Sequence, residues 1–163
     1  MVRRGGRRTR LPNSCGPSPT PSPFARHRQA KECIAIVLDV SDAFKPHLDD
    51  ALQAVRSLVN SKILFHGKDA IGIFAHGTEL TENALAQTDE HEGQYQHVSE
   101  IHCLGPVSHK TLGALDRVAG LATAEADLID SLTLAVHAVI QHTGKLKWQK
   151  RVLVLTDGTS PAQ

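Results

Sequence analysis

Two apolar runs in this sequence each lead to an aspartate, and this pattern constrains the fold more than any other feature. Residues 33–38 are continuously apolar and precede Asp39, with Ser41 two positions further on. Residues 152–155 are also apolar, and Asp157 follows them. Such runs predict strands that are buried on both faces of a parallel sheet. Because function in open α/β sheets sits at the carboxyl ends of the strands, both aspartates are expected at that edge.

Helix and strand patterns alternate from residue 31 onward, which predicts an α/β domain with a mostly parallel sheet flanked by helices. Asp127 is a predicted N-cap and Gly144 a predicted helix end. Cys33 and Cys103 fall in predicted strands, where buried free thiols are expected. Residues 78–96 are polar and predict a long loop. The predicted strands are 33–38, 70–75, 98–104 and 151–155, and the predicted helices are about 46–61, 112–119 and 128–140.

The predicted fourth strand lies close to the last residue of the sequence, so no covering helix is expected after it. An apolar strand at a sheet edge can pair with another chain. We therefore expect residues 31–163 to form a partial domain that is truncated after its fourth strand, and a longer protein or a truncated gene product would each account for it. No apolar run approaches the roughly 18 residues that a membrane span requires.

Residues 1–30 differ in composition from the rest of the chain, being rich in arginine, proline, serine and glycine. Such a segment buries too little apolar surface to fold and is predicted to be disordered. It resembles a nuclear-import or nucleic-acid-binding tail, while an organelle transit peptide and a non-homologous extension stay open as alternatives. The arginines of the predicted nucleic-acid tail are Arg3, Arg4, Arg7, Arg8 and Arg10.

The charge of the chain is unevenly distributed along the sequence. Residues 1–31 hold eight basic residues and no acidic one, so residues 32–163 carry a net charge of −7 although the whole chain is at +1. Neutralising nucleic-acid phosphates requires Lys and Arg. The acidic folded part is therefore predicted to be a poor nucleic-acid binder by itself.

The two aspartates and a nearby serine offer the oxygen ligands that Mg²⁺ prefers. Asp39, Ser41 and Asp157 would supply two carboxylates and a hydroxyl at one sheet edge. They resemble part of the metal-ion-dependent adhesion site of von Willebrand factor A domains. In that site an Asp-x-Ser-x-Ser sequence follows strand one, a threonine lies in a middle loop, and an aspartate follows strand four.

The match to the adhesion site is incomplete. Ala43 stands in place of the second serine, and Ala126 or Asp127 stands where the threonine is expected. Two hydroxyl ligands are thus missing, and an aspartate after a strand is also common as a turn or cap residue. We expect no cofactor, with weak Mg²⁺ binding as the alternative.

Two enzymatic alternatives can be tested against the same residues. A haloacid-dehalogenase phosphatase would use Asp39 as its nucleophile, but it requires a second aspartate where this chain has Ser41. A nucleotide-binding loop would require a glycine-rich segment ending in Lys-Ser or Lys-Thr, and the sequence has none. The sequence therefore favours a domain that is not an enzyme.

Trp148 lies within a cluster of lysines before the predicted fourth strand. Lys147 and Lys150 flank it closely in the sequence. An exposed tryptophan among basic residues is a candidate partner contact. It is equally well placed to pack over the start of the strand.

Four segments of the sequence together carry a family resemblance. They are 68–83 with Phe74, Gly77, Thr78, Thr81 and Asn83; 94–98; 126–142 with Ala135; and Lys147 to Asp157 with Arg151. These segments resemble the N-terminal von Willebrand factor A-like domain of the Ku large subunit, a component of the DNA-end-binding Ku heterodimer. Their order and spacing agree with that family over residues 32–163, and the degenerate metal site agrees as well. The long basic N-terminus departs from the family, which usually starts close to strand one.

The resemblance implies a nuclear protein that acts in double-strand break repair by non-homologous end joining and in telomere maintenance. Its implied partners are the smaller Ku subunit, end-joining repair factors and, through the full complex, double-stranded DNA ends. The A domain would lie outside the DNA-encircling ring and serve in subunit contact and docking. A helicase label in the family would belong to the whole complex. A metal-dependent ligand-binding A domain of another intracellular family stays open as the alternative.

Overall fold

The structure, a computed structural model, describes residues 30–88 and 93–159. The predicted tail, including its five arginines, lies outside the described residues except for Ala30. No described helix is both long and apolar enough to cross a membrane. The strands are β1 (Glu32–Asp39), β2 (Ala70–His76), β3 (Val98–Pro106) and β4 (Gln149–Leu155), and the helices are α1 (Lys45–Phe65), α2 (His109–Val118) and α3 (Leu128–Thr143).

The four strands form one sheet in the order β3-β2-β1-β4. β1 pairs in parallel with both β2 and β4, whereas β3 pairs antiparallel with β2. One apolar cluster joins the sheet to α1 and α2, and a second joins its other face to α3. The mostly parallel α/β arrangement predicted from the sequence is confirmed.

β1 is one of the two inner strands of the sheet, and all eight of its residues are buried. Its side chains alternate between the two layers, as they must in a strand. Ile34 and Ile36 pack in the cluster with α1 and α2, while Ala35 and Val37 pack in the cluster with α3. The prediction of a strand buried on both faces is confirmed for β1.

The same prediction is wrong for β4, which lies at the edge of the sheet. Leu153 and Val154 are 36% and 37% exposed, and the first three residues of the strand are exposed as well. An apolar run reports the preference of the strand for burial, but its position in the sheet decides how much burial it finds. The expectation that the apolar fourth strand lies at a sheet edge is confirmed.

β3 follows β2 with two register shifts, on either side of Ile73. A Cβ atom on Gly72 would lie 2.8 Å from Leu104 Cγ, so glycine is required where the two strands approach closely. Ile101 packs toward α2 and Leu104 toward α3, because side chains an odd number of positions apart in a strand point to opposite faces of the sheet. Cys103 is exposed, and the prediction that it is buried is wrong, whereas Cys33 is buried as expected.

The predicted helix ends are confirmed where local chemistry defines them. Asp127 caps α3, since its carboxylate accepts a 2.7 Å hydrogen bond from Ile129 N. Gly144 ends the helix at a positive φ of 50°. α1 begins near Pro46 as predicted but continues to Phe65, one turn beyond the expected end. Within that extra turn, Lys62 is buried.

Candidate functional site

The carboxyl ends of β1, β2 and β4 meet at one edge of the sheet, where the sequence predicts the site. Asp39 is paired in register with His76, and Val40 N donates a 2.9 Å hydrogen bond to His76 O. Gly77 adopts a φ of 84°, and a Cβ there would lie 3.3 Å from Ser41 N. Glycine therefore allows the loops after β1 and β2 to lie in contact.

Asp39 and Ser41 are brought together as predicted, and the buried Asp39 carboxylate ties two loops to each other. Ser41 N donates a 2.9 Å hydrogen bond to Asp39 Oδ1. Thr156 Oγ1 donates a 2.7 Å hydrogen bond to Asp39 Oδ2. Both carboxylate oxygens thus accept hydrogen bonds from within the chain, which is the arrangement of a structural carboxylate.

Asp157 lies on the same edge but is exposed and belongs to a turn of its own. Its Oδ1 atom accepts hydrogen bonds of 2.9 Å and 2.7 Å from the amide and hydroxyl of Thr159. The backbone hydrogen bond from Thr159, and then that from its hydroxyl, lower the pKa of Asp157 below its ordinary value. The carboxylate is therefore stabilised in its charged form by the turn itself.

A middle-loop threonine does reach this edge, although it is not at the position expected from the sequence. Thr123 Oγ1 donates a 2.9 Å hydrogen bond to Asp42 Oδ1, and Lys45 Nζ lies 3.1 Å from the same oxygen. The hydrogen bond from Thr123, followed by the contacts with Lys45, lowers the pKa of Asp42. Asp127, one of the two residues expected there, instead caps α3.

A cavity of about 360 Å³ opens between these loops. Ser41, Asp42, Thr123, Glu125 and Thr159 contribute polar side chains to its lining, and Ala43 contributes none. Sequence reasoning missed Asp42 and Thr123, because their contact joins segments that are 81 residues apart.

The residues of this edge fit a divalent cation poorly. Mg²⁺ requires near-octahedral oxygen ligands, commonly one or two carboxylates with retained waters. Asp39 is engaged by Ser41 N and Thr156, and no group of three or more His, Cys, Asp or Glu suited to a metal occurs in residues 30–88 and 93–159. One observation favours a cation at this edge, because Ser41 Oγ is buried without a hydrogen-bond partner and its oxygen could act as a ligand.

His76 is a buried polar residue of this edge that the sequence analysis did not single out. Its Nδ1 atom lies 2.7 Å from Ser131 Oγ of α3, and its Nε2 atom is buried without a partner. Burial lowers the pKa of His76. This effect outweighs the attraction of the Asp39 and Asp127 charges, which by itself would raise the pKa. The sequence did contain a signal for His76, because it is a polar residue that ends an otherwise apolar strand.

The second group of predicted residues lies at the opposite end of the sheet. Trp148 is partly buried and packs against the core cluster on the α3 side, as the packing alternative proposed. Lys31 Nζ lies 5.3 Å from the centroid of its ring, and the His142 ring meets it edge-on at 5.6 Å. Lys147 and Lys150 are exposed beside it. The predicted metal residues and the predicted partner residues therefore do not form one site.

Comparison with known proteins gives a consistent result across the folded part of the chain. A family model described as the Ku70/Ku80 N-terminal alpha/beta domain matches residues 33–163. The X-ray repair cross-complementing protein 5 of Dictyostelium discoideum is 28% identical over 142 residues, covering 80% of this chain and 17% of the relative.

Two plant proteins show the same level of similarity. The ATP-dependent DNA helicase 2 subunit KU80 of Oryza sativa subsp. japonica is 28% identical over 131 residues, and the match covers 80% of this chain and 18% of the rice protein. The protein of the same name from Arabidopsis thaliana is 29% identical over 143 residues, and the match covers 86% of this chain and 20% of the Arabidopsis protein. The chain thus spans about a fifth of the length of the curated relatives it matches.

Proposed function

Because this chain belongs to the family of Ku70/Ku80 N-terminal α/β domains, we propose that it serves as an interaction domain in DNA double-strand break repair by non-homologous end joining and in telomere maintenance. The predicted likeness to the von Willebrand factor A-like domain of Ku large subunits is confirmed. The observation that carries the proposal is the family match over β1 to β4, rather than over one short motif.

The proposed role is protein binding, not catalysis. Asp39, the one candidate nucleophile, has both carboxylate oxygens engaged by hydrogen bonds from Ser41 and Thr156. The sequence has no glycine-rich loop that could hold nucleotide phosphates. Purified chain is expected to release no phosphate from ATP or from a phosphate monoester. Turnover that is abolished by Asp39→Asn would contradict the proposal and favour the phosphatase alternative.

The proposed partners are the smaller Ku subunit and end-joining repair factors, with double-stranded DNA ends reached through the full complex. The outer face of α3 supports a protein contact, since Ile129, Val136 and Ile140 are 48%, 45% and 54% exposed. They line an apolar cavity of about 400 Å³ together with Leu132. Apolar surface of this kind commonly marks a protein contact.

The partner proposal is tested by co-expressing the chain with a smaller Ku subunit and measuring complex formation by size-exclusion chromatography with light scattering. A stable complex is expected, and Val136→Asp should weaken it because a carboxylate would enter the apolar contact. Leu80→Asp is the matched control, since Leu80 is 66% exposed and does not line the cavity on α3. Absence of any complex would contradict the proposed heterodimer.

The proposed location is the nucleus, with the Arg-rich tail as the import signal. The supporting feature is the cluster of basic residues at the start of the sequence. A fluorescent fusion of the chain is expected in the nucleus. Replacing Arg3, Arg4, Arg7, Arg8 and Arg10 by serine should release it to the cytoplasm. A mitochondrial signal would favour the transit-peptide alternative.

A second candidate function is metal-dependent ligand binding, which the partnerless hydroxyl of Ser41 favours. We propose that no tightly bound cofactor is required, because Ala43 removes a ligand and Asp39 is engaged within the chain. Titration calorimetry with MgCl₂ is expected to show no saturable binding up to about 1 mM. Saturable binding that Asp39→Asn or Asp157→Asn abolishes would support the second candidate.

A further inference from the structure

The charged residues of the domain are separated between the two ends of the sheet. We define the amino edge as residues 30–32, 62–69, 106–110 and 142–151, where β1, β2 and β4 begin and β3 ends. It holds eight basic residues and two acidic ones. The carboxyl edge, residues 39–45, 76–82, 121–130 and 155–159, holds eight acidic residues and one basic residue. The net charge of −7 therefore conceals a strongly basic end.

The two acidic residues of the amino edge do not offset its exposed cations. Glu32 and Asp69 are buried, and each carboxylate lies 2.7 Å from the buried Lys62 Nζ. Arg151 also contacts Glu32 at 3.2 Å. The remaining cations of this edge are exposed, namely Lys31, Lys68, Lys110, Lys145, Lys147 and Lys150. The surface at this edge therefore attracts anions.

Two aromatic rings lie among these lysines, in a chain that has few aromatic residues. Phe65 is 75% exposed at the end of α1, and Trp148 is partly exposed before β4. Lys31 connects them, because it lies over the Trp148 ring and also lines a cavity with Phe65 and Lys68. This cavity has a volume of about 410 Å³. Its volume is within the range of small-ligand sites, roughly 300–1,000 Å³.

We propose that the amino edge binds single-stranded nucleic acid, with its lysines on the phosphates and Phe65 stacked on a base. Single-strand binding sites combine cationic grooves with exposed aromatic rings, since every base offers a face for stacking. The carboxylates of an acidic protein segment would contact the lysines, but they offer no flat surface that could stack on the exposed phenyl ring of Phe65. A duplex keeps its bases stacked on one another and leaves the ring without a partner. This inference goes beyond the proposed function and does not depend on it.

The proposal is tested by fluorescence anisotropy with a labelled oligothymidylate of about 20 nucleotides, long enough to span a typical single-strand site. The full chain is used throughout, so the tail arginines are the same in every sample. The double variant Lys31→Gln, Lys68→Gln removes two amino-edge charges. Its matched control is Lys45→Gln, Arg56→Gln, which removes two charges elsewhere on the domain.

The amino-edge variant is expected to bind more weakly than its control, and its plot of log affinity against log salt should be shallower by about 1.4, or roughly 0.7 for each lost phosphate contact. Phe65→Leu keeps an apolar side chain but removes the ring. It should weaken oligothymidylate binding about five-fold or more, as expected for one lost stacking contact. Binding of a duplex of equal length should be insensitive to Phe65→Leu.

Two results would overturn the proposal. Equal affinity and equal salt dependence of the amino-edge variant and its control would assign all binding to the tail. Polyglutamate that competes fully with the oligonucleotide, together with no effect of Phe65→Leu, would assign the surface to an acidic protein segment. Circular dichroism of each variant checks that the fold is retained.

Discussion

The hydroxyl of Thr156 donates a 2.7 Å hydrogen bond to the buried carboxylate of Asp39, and this contact joins the loops after β1 and β4. The two residues are 117 positions apart in the chain. A hydrogen bond to a charged group contributes more than one between neutral groups. The contact therefore helps to hold the edge strand β4 against the inner strand β1.

Thr156→Val is expected to lower the free energy of unfolding by about 1.5–3 kcal/mol, because the buried Asp39 carboxylate loses a hydrogen-bond donor. Urea denaturation followed by circular dichroism measures the change. Thr159→Val is the control, since its hydroxyl binds the exposed Asp157 within one turn. Equal midpoints for the two variants would show that the Thr156 contact does not stabilise the edge.

Lys62→Met is expected to destabilise the fold by about 3–5 kcal/mol, because it leaves Glu32 and Asp69 as buried carboxylates without their common partner. Burial by itself lowers the pKa of Lys62, but hydrogen bonds and charges from Asp69 and Glu32 outweigh it and raise the pKa. Lys62 is thus charged at neutral pH. Chemical denaturation of the variant at about pH 7 measures the loss.

Lys68→Met is the matched control at an exposed position and should change stability by no more than about 0.5 kcal/mol. A Lys62→Met protein as stable as this control would show that the buried ion pairs contribute nothing net.

His76 is expected to make the stability of the domain fall as the pH drops below about 6.5, the ordinary pKa of histidine. Burial lowers the pKa of His76 in the folded state, so the unfolded chain binds a proton more readily. The contribution of neutral His76 to the free energy of unfolding is therefore fully present above the pKa that His76 has in the unfolded chain. It is lost as the pH falls toward the lower pKa of His76 in the folded protein, by at most about 1.4 kcal/mol per pH unit.

Thermal melts between pH 7.5 and 5.5 measure this dependence, over a window of about one unit above and below the ordinary histidine pKa. His76→Gln keeps a hydrogen-bonding group for Ser131 but cannot be protonated, so its pH dependence should be shallower. His109→Gln, at an exposed position on α2, is the control variant. Parallel curves for all three proteins would rule out His76 as the source.

Gly72→Ala is expected to destabilise the sheet by about 1–3 kcal/mol, because the added methyl group would overlap with Leu104. The built Cβ position lies 2.8 Å from Leu104 Cγ and 3.2 Å from Leu104 N. The double variant Gly72→Ala, Leu104→Ala should recover part of the loss relative to Leu104→Ala alone. Strict additivity in this double-mutant cycle would mean that the two residues do not compete for the same space.

Cys103 is expected to react with Ellman's reagent in the native protein, whereas Cys33 should react only on unfolding. Cys33 is fully buried and Cys103 is exposed on β3. Partial burial, followed by the charge of Glu100, raises the pKa of Cys103, so the reaction should accelerate at alkaline pH. A Cys15→Ser variant limits the experiment to these two thiols. Two rapidly reacting thiols would contradict the burial of Cys33.

The sequence by itself determined the elements whose causes are local. The apolar run of β1, the helical spacing of α1 and the caps Asp127 and Gly144 follow from periodicity and from backbone chemistry within a few residues. It also placed Asp39 and Ser41 at the correct edge, because parallel strands end together.

Only the tertiary structure decided what depends on neighbours that are distant in the chain. It placed β4 at the edge of the sheet and exposed Cys103 beside the register shifts of β3. It also buried Lys62 between Glu32 and Asp69, and it brought Thr123 to Asp42. Composition counts charges without their positions, so the basic amino edge and the acidic carboxyl edge became separate only when the strands were aligned in parallel.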